Sequence, residues 1–141
     1  MAIIYQTEDV KLPTLKKRII SSWIKKVADK YNKKVGDIAY IFCNDKRILD
    51  INKEYLQHDY YTDIITFDYT EGDLISGDIF ISLDTVKSNS EQFGTSYLNE
   101  IQRIIIHGVL HLCGINDKSP QERANMTQQE NEALAILETM P

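Results

Sequence analysis

At 141 residues the chain is the size of one ordinary domain and long enough to bury a real core. Hydrophobic residues at 43% and charged residues at 26% exclude an intrinsically disordered chain, and no apolar run approaches the ~20 residues that cross a bilayer. The net charge of −5 speaks against a nucleic-acid partner until its distribution is read: residues 1–34 hold nine Lys/Arg against three Asp/Glu, residues 35–141 seven against eighteen. A basic end on an acidic body can supply local phosphate contacts, although a solvated lysine-rich helix face is the plainer reading of the same charges.

In chain order, residues 2–6 are apolar and β-branched enough for an opening strand. Pro13 and Thr14 mark a helix start, after which Leu15, Ile19, Trp23, Val27 and Tyr31 recur at helical spacing. Lys16, Lys17, Lys25, Lys26 and Lys30 take the opposite face of that helix. Gly36 breaks the pattern before a second strand at 38–43. Asn44 or Asp45 caps a helix whose mostly apolar face is Ile48, Leu49, Asn52, Tyr55 and Leu56. Third and fourth strands are expected at 62–69 and 77–82, joined through turn-forming residues 70–76 as antiparallel neighbours. A short helix over 84–93 stops at Gly94, and Thr95 or Ser96 begins a long helix running to Cys113. Ser119 and Pro120 open a last helix with Met126, Ala133, Leu134 and Leu137 on one side. This order predicts a single α+β domain over 1–141, with a small four-stranded mixed sheet packed with about five helices. The chain start lacks the basic and apolar segments of a signal peptide, and two cysteines, Cys43 and Cys113, are too few for a disulfide framework. Both features fit a cytoplasmic location with no membrane partner.

The long helix carries the chemistry. His107 and His111 follow the apolar run 104–106 and, four apart, share one helix face. Two imidazoles so placed reach one metal ion at ~2.0–2.1 Å each. Gly114 can enter the left-handed conformation and end the helix, so that the chain turns back and brings Asp117 to the open side of the ion. Two histidines, a carboxylate and a position left for water form a catalytic zinc pattern. Two core histidines near a helix end remain the alternative. Metallopeptidases of the His-Glu-x-x-His type place a glutamate beside the first histidine, and Gly108 stands there, which favours phosphoryl chemistry over proteolysis.

Around the histidines, the candidate catalytic residues are Arg103, one turn before His107, and His58, both as phosphate contacts, with Lys46 and Arg47 as further cations. Arg103 could instead pair with Glu100. Asp63 and Asp78 could orient ligand imidazoles or cap strand ends. Cys113 falls on a different helix face from His111 and reads as core. Tyr60 and Tyr61 are candidates to stack on unpaired bases, and Phe67 is better read as packing.

Three blocks resemble the YbeY family of bacterial rRNA-maturation endoribonucleases. The family's His-Gly-x-Leu-His-Leu-x-Gly-Tyr-Asp-His is matched by His107, Gly108, Leu110, His111, Leu112 and Gly114. Its block Leu-Asn-x-x-Tyr-Arg-x-x-Asp-x-Pro-Thr-Asp-Val-Leu-Ser-Phe resembles Ile51, Asn52, Tyr55, Asp59 and residues 62–67, and its Gly-Asp-Ile recurs as Gly77, Asp78 and Ile79. The resemblance implies one Zn2+ per chain and an endoribonuclease selective for single strands. It also implies trimming of the 3′ end of small-subunit rRNA, a role in ribosome quality control, and a ribosomal protein or assembly GTPase as further partner. The chain departs from the family at three positions: Asp117 stands at the third histidine, Leu56 at the arginine and Tyr61 at the proline. A ribosome-assembly factor with a structural metal is the runner-up reading, and a divergent metallopeptidase the third.

Overall fold

The computed structural model describes residues 2–55 and 62–141. In chain order the elements are β1 (Ile3–Thr7), α1 (Lys17–Lys30), β2 (Lys34–Cys43), α2 (Asp45–Tyr55), β3 (Ile64–Asp68), β4 (Leu74–Ser82), α3 (Leu83–Phe93), α4 (Tyr97–Leu112) and α5 (Pro120–Glu138). The four strands lie in the order β1-β2-β4-β3. β2 is parallel to both β1 and β4, and β3 runs antiparallel to β4, so the expected mixed sheet and antiparallel pair are both present.

Alternation along the strands divides the core between two faces. Ile38, Tyr40 and Phe42 of β2, with Ile75, Ile79 and Ile81 of β4, join the large cluster formed with α1, α3, α4 and α5. Cys43, Ile48, Ile51 and Ile65 form a smaller cluster beneath α2 on the other face, backed by Phe67 and Phe80. α4 is the central helix, burying Ile101, Ile104, Ile105, Ile106, Gly108, Val109, Leu110 and Leu112. Polar groups inside this core are satisfied across elements, as buried donors must be. The Tyr40 hydroxyl donates to the Ile105 carbonyl at 3.0 Å, and Trp23 Nε1 donates to the Ala133 carbonyl at 2.7 Å, pinning α1 to α5.

Three boundaries differ from the sequence expectation by three residues or more. α1 begins at Lys17 rather than at Pro13 and Thr14, with Lys16 at its N-cap and no side-chain cap. Leu12 and Leu15 pack against the core from the non-helical lead-in. β2 starts four residues before 38 and runs through Gly36, at a register irregularity between Val35 and Ile38. A side chain at Gly36 would collide with the Ile75 backbone oxygen, 3.0 Å from an ideal Cβ, so glycine permits a close strand approach instead of ending the strand. β4 likewise begins at Leu74, because the Glu71–Leu74 bridge closes the hairpin more tightly than a 70–76 loop would. The remaining caps agree with the expectation. Ser96 caps α4, Ser119 and Glu122 form a capping box on α5, and Gly94 takes the left-handed φ of 67° that ends α3. Among the described residues no helix is long and apolar enough to cross a membrane.

Candidate active site

His107 and His111 occupy the last turns of α4, and the way that helix sits on the sheet places them. An ideal Cβ on Gly108 would lie 3.0 Å from Ile79 Cδ1 and 3.3 Å from Ile64 Cδ1. The missing side chain therefore lets the helix approach β3 and β4 at the turn between the histidines. Beyond Cys113 the helix closes through Gly114 at φ 97°, whose N–H donates to the His111 carbonyl at 3.0 Å, while Ile115 N–H donates to the Leu110 carbonyl at 3.0 Å. That reversal carries Asp117 back to α4, where its Oδ2 stands 3.3 Å from His107 Nε2.

The other nitrogen of the same ring is held from α5. His107 Nδ1 lies 2.6 Å from Glu130 Oε2, and Glu130 Oε1 accepts from Arg103 Nη1 at 2.9 Å. Arg103 Nη2 in turn donates to Asn131 Oδ1 at 2.7 Å. Glu130 is only 7% exposed. A carboxylate so buried is tolerable because a guanidinium and an imidazole share its charge. Burial is the largest single influence on His107 and pulls its pKa down. The Glu130 hydrogen bond, with the charges of Glu130, Asp117 and Asp63, outweighs it and raises the pKa above 6.5. Asp63, immediately before β3, is pushed above the usual carboxylate range by burial, against the opposing pull of His107. His111 Nδ1 is buried and has no hydrogen-bond partner among the described residues.

The sequence-predicted residues separate accordingly. His107 and Asp117 come together, with His111 one turn further along the same helix. Among the described residues no three His, Cys, Asp or Glu side chains are grouped so as to hold a metal ion. Arg103 is near His107 as expected, but its partners are Glu130 and Asn131 rather than Glu100, which accepts from Thr95 at the helix start. Asp78 cannot orient an imidazole. Ile79 packs toward Gly108, so strand alternation turns Asp78 to the opposite sheet face, where it lines a cavity with Phe67 and Phe80. Lys46 and Arg47 ride on α2, also across the sheet, and Arg47 is paired with Glu8 at 2.8 Å. Cys113 packs against the core as expected, and burial pushes its thiol up to about 11. His58, Tyr60, Tyr61 and Leu56 lie outside the described residues.

Glu130 escaped the sequence reading. Its signal was present: it lies four residues after Met126 and three and four before Ala133 and Leu134, on the apolar stripe of the last helix. An acidic residue on a buried stripe needs a partner, and here it has two.

Comparison with known proteins shows the family. The family described as Endoribonuclease YbeY matches residues 2–138. Curated proteins named Endoribonuclease YbeY are similar over nearly the whole chain. The one from Parabacteroides distasonis is 66% identical over 97% of this chain and 96% of its own. That from Bacteroides thetaiotaomicron is 63% identical over 96% and 99%, and that from Porphyromonas gingivalis strain ATCC 33277 is 51% identical over 95% and 89%. A Thermotoga maritima protein solved in solution shares the fold, with a TM-score of 0.63 at 20% identity over 98% of this chain and 93% of that one. The chain belongs to the YbeY family of endoribonucleases.

Proposed function

We propose that the protein cleaves single-stranded rRNA at the C-terminal end of α4, with one zinc ion held by His107, His111 and Asp117. The substrate we infer is the 3′ end of small-subunit rRNA, processed in the cytoplasm during ribosome maturation and quality control. A ribosomal protein or an assembly GTPase is the further partner, and the exposed lysines of α1 form a surface for ribosomal RNA.

The observation that carries this reading is the double engagement of His107, by Glu130 at Nδ1 and by Asp117 at Nε2. A carboxylate on the far nitrogen is how metal-ligating histidines are commonly fixed in tautomer and orientation. The orphaned His111 Nδ1 adds a buried nitrogen in want of a partner one turn away. The donor set of two imidazoles and a carboxylate suits zinc.

When bound, zinc would supply a positive charge that polarises a phosphoryl oxygen and offsets negative charge developing there. The chain's own residues do the rest. With zinc bound, Glu130 would hold the His107 proton on Nδ1 and leave the Nε2 lone pair for the ion. Arg103 fixes the Glu130 carboxylate and adds a cation one turn before His107. Gly108 offers no carboxylate base, and the 2′-hydroxyl of RNA makes a dedicated one less necessary.

Metal analysis of the purified protein, together with cleavage of a single-stranded RNA, tests this reading against His111→Ala. Wild type should hold zinc and cut, and the variant should lose both. Undiminished cutting by His111→Ala would contradict it.

A further inference from the structure

Across the sheet from the histidines, a cavity of about 210 Å3 opens beside α2 between Arg47, Tyr55, Phe67, Tyr69, Asp78 and Phe80. It is smaller than the ~300–1,000 Å3 pockets that take drug-sized ligands, and suits a single flat ring system. Its aromatic members form a chain. Phe67 meets Tyr55 edge-to-face at 5.8 Å between ring centroids, and meets Phe80 edge-to-face at 5.9 Å. Tyr55 and Tyr69 are 60% and 59% exposed, so two large rings at the cavity mouth stand mostly in water. Clustered exposed aromatics of this kind mark interaction surfaces.

We propose that this cavity is a stacking subsite for one unpaired base of the RNA. The proposal rests on the RNA-cleaving reading and extends it to a part of the substrate away from the scissile bond. Every base offers a π-face to exposed tyrosine rings. The rim chemistry favours a base over a phosphate. The Asp78 carboxylate accepts hydrogen bonds from base N–H groups but repels a phosphate. Arg47, anchored at 2.8 Å through Nε to Glu8, has further guanidinium donors for base acceptors or for the adjoining backbone. The two faces meet at one edge of the sheet: β3 ends the strand order, with Ile64 near Gly108 of α4 and Phe67 lining the cavity.

Binding of a fluorescent single-stranded RNA, methylated on its 2′-hydroxyls to resist cleavage, is measured by anisotropy for wild type, Tyr55→Ala/Tyr69→Ala and Tyr55→Phe/Tyr69→Phe. Both positions are exposed, and circular dichroism checks that the variants fold. The alanine variant should bind about 10-fold more weakly, as expected for one lost base stack, and the phenylalanine variant should keep wild-type affinity. A photoreactive base in the same RNA should crosslink to Tyr55 or Tyr69. Equal affinity of wild type and the alanine variant overturns the subsite while leaving the RNA reading intact. Failure of wild type to bind any single strand overturns that reading and the subsite with it. Binding of a ribosomal-protein peptide at these tyrosines, with RNA affinity unchanged, makes the cavity a protein-docking site and also overturns the proposal.

Discussion

Glu130 Oε2 stands 2.6 Å from His107 Nδ1, joining the last helix to the helix that carries the family's histidine motif. Because Arg103 takes the other oxygen of the same carboxylate at 2.9 Å, the ring is fixed by a braced group rather than by a freely rotating one. Glu130→Gln keeps the shape and removes the charge. Metal affinity or activity should fall about 10- to 100-fold, the usual effect of losing a partner behind a ligating histidine. The metal-free protein gives a second readout. His107 has a raised pKa when folded, so its contribution to stability is fully present below its unfolded pKa near 6.5 and is lost as pH rises through the folded value. Urea denaturation should therefore show wild type exceeding Glu130→Gln by more at pH 5.5 than at pH 9.

The Gly108 contact with the sheet sets a second expectation. Gly108→Ala gains about 1 kcal/mol of helix propensity but presses on Ile79, whose buried side chain has little room to move. Overpacking of this kind costs about 1–3 kcal/mol, so stability should fall slightly or stay level. Activity should fall further, because the displaced turn carries both histidines. Denaturation and cleavage assays on the same preparation check this, and unchanged cleavage would mean the close approach does not position the site.

The two free thiols give a third. Burial pushes Cys43 up to about 12 and Cys113 up to about 11, from an ordinary value of 9.0. Both should resist alkylation in the folded protein at pH 8, where a free thiol is partly ionised. Raised folded values mean that the stability they contribute is complete below pH 9 and is lost as pH climbs toward 11 and 12. Cys43→Ala should flatten the alkaline part of the stability curve, as measured by denaturant midpoints from pH 8 to 11.

Much of the fold was legible because local and global signals coincide. Trp23 and Val27 of the expected stripe do lie on the buried face of α1, beside Ile20, Ile24 and Ala28, and Ser119 with Pro120 marked the start of α5. Where the reading missed, long-range contacts decided. Gly36 looks like a strand breaker in isolation, and only the neighbouring β4 backbone shows why a strand passes through it. Asp78 could orient an imidazole or cap a strand end, and only the register shows it turned to the other sheet face. The motif fixed His107 and His111 on one helix face through spacing alone, and the turn at Gly114 brought Asp117 back to His107. Glu130 stands on the apolar stripe of the last helix, which marks it as buried, but only folding reveals that this position faces His107.

The central claim is that the carboxylate at position 117, where the family pattern has histidine, serves as the third metal ligand. Zinc titration of metal-stripped wild type, Asp117→Ala and Asp117→His tests it most directly. Wild type should bind one ion per chain, Asp117→Ala should bind markedly more weakly, and Asp117→His should recover affinity because imidazole is an equivalent zinc donor. Equal zinc affinity in all three proteins would contradict the claim and leave the 3.3 Å approach of Asp117 to His107 as an ion pair alone.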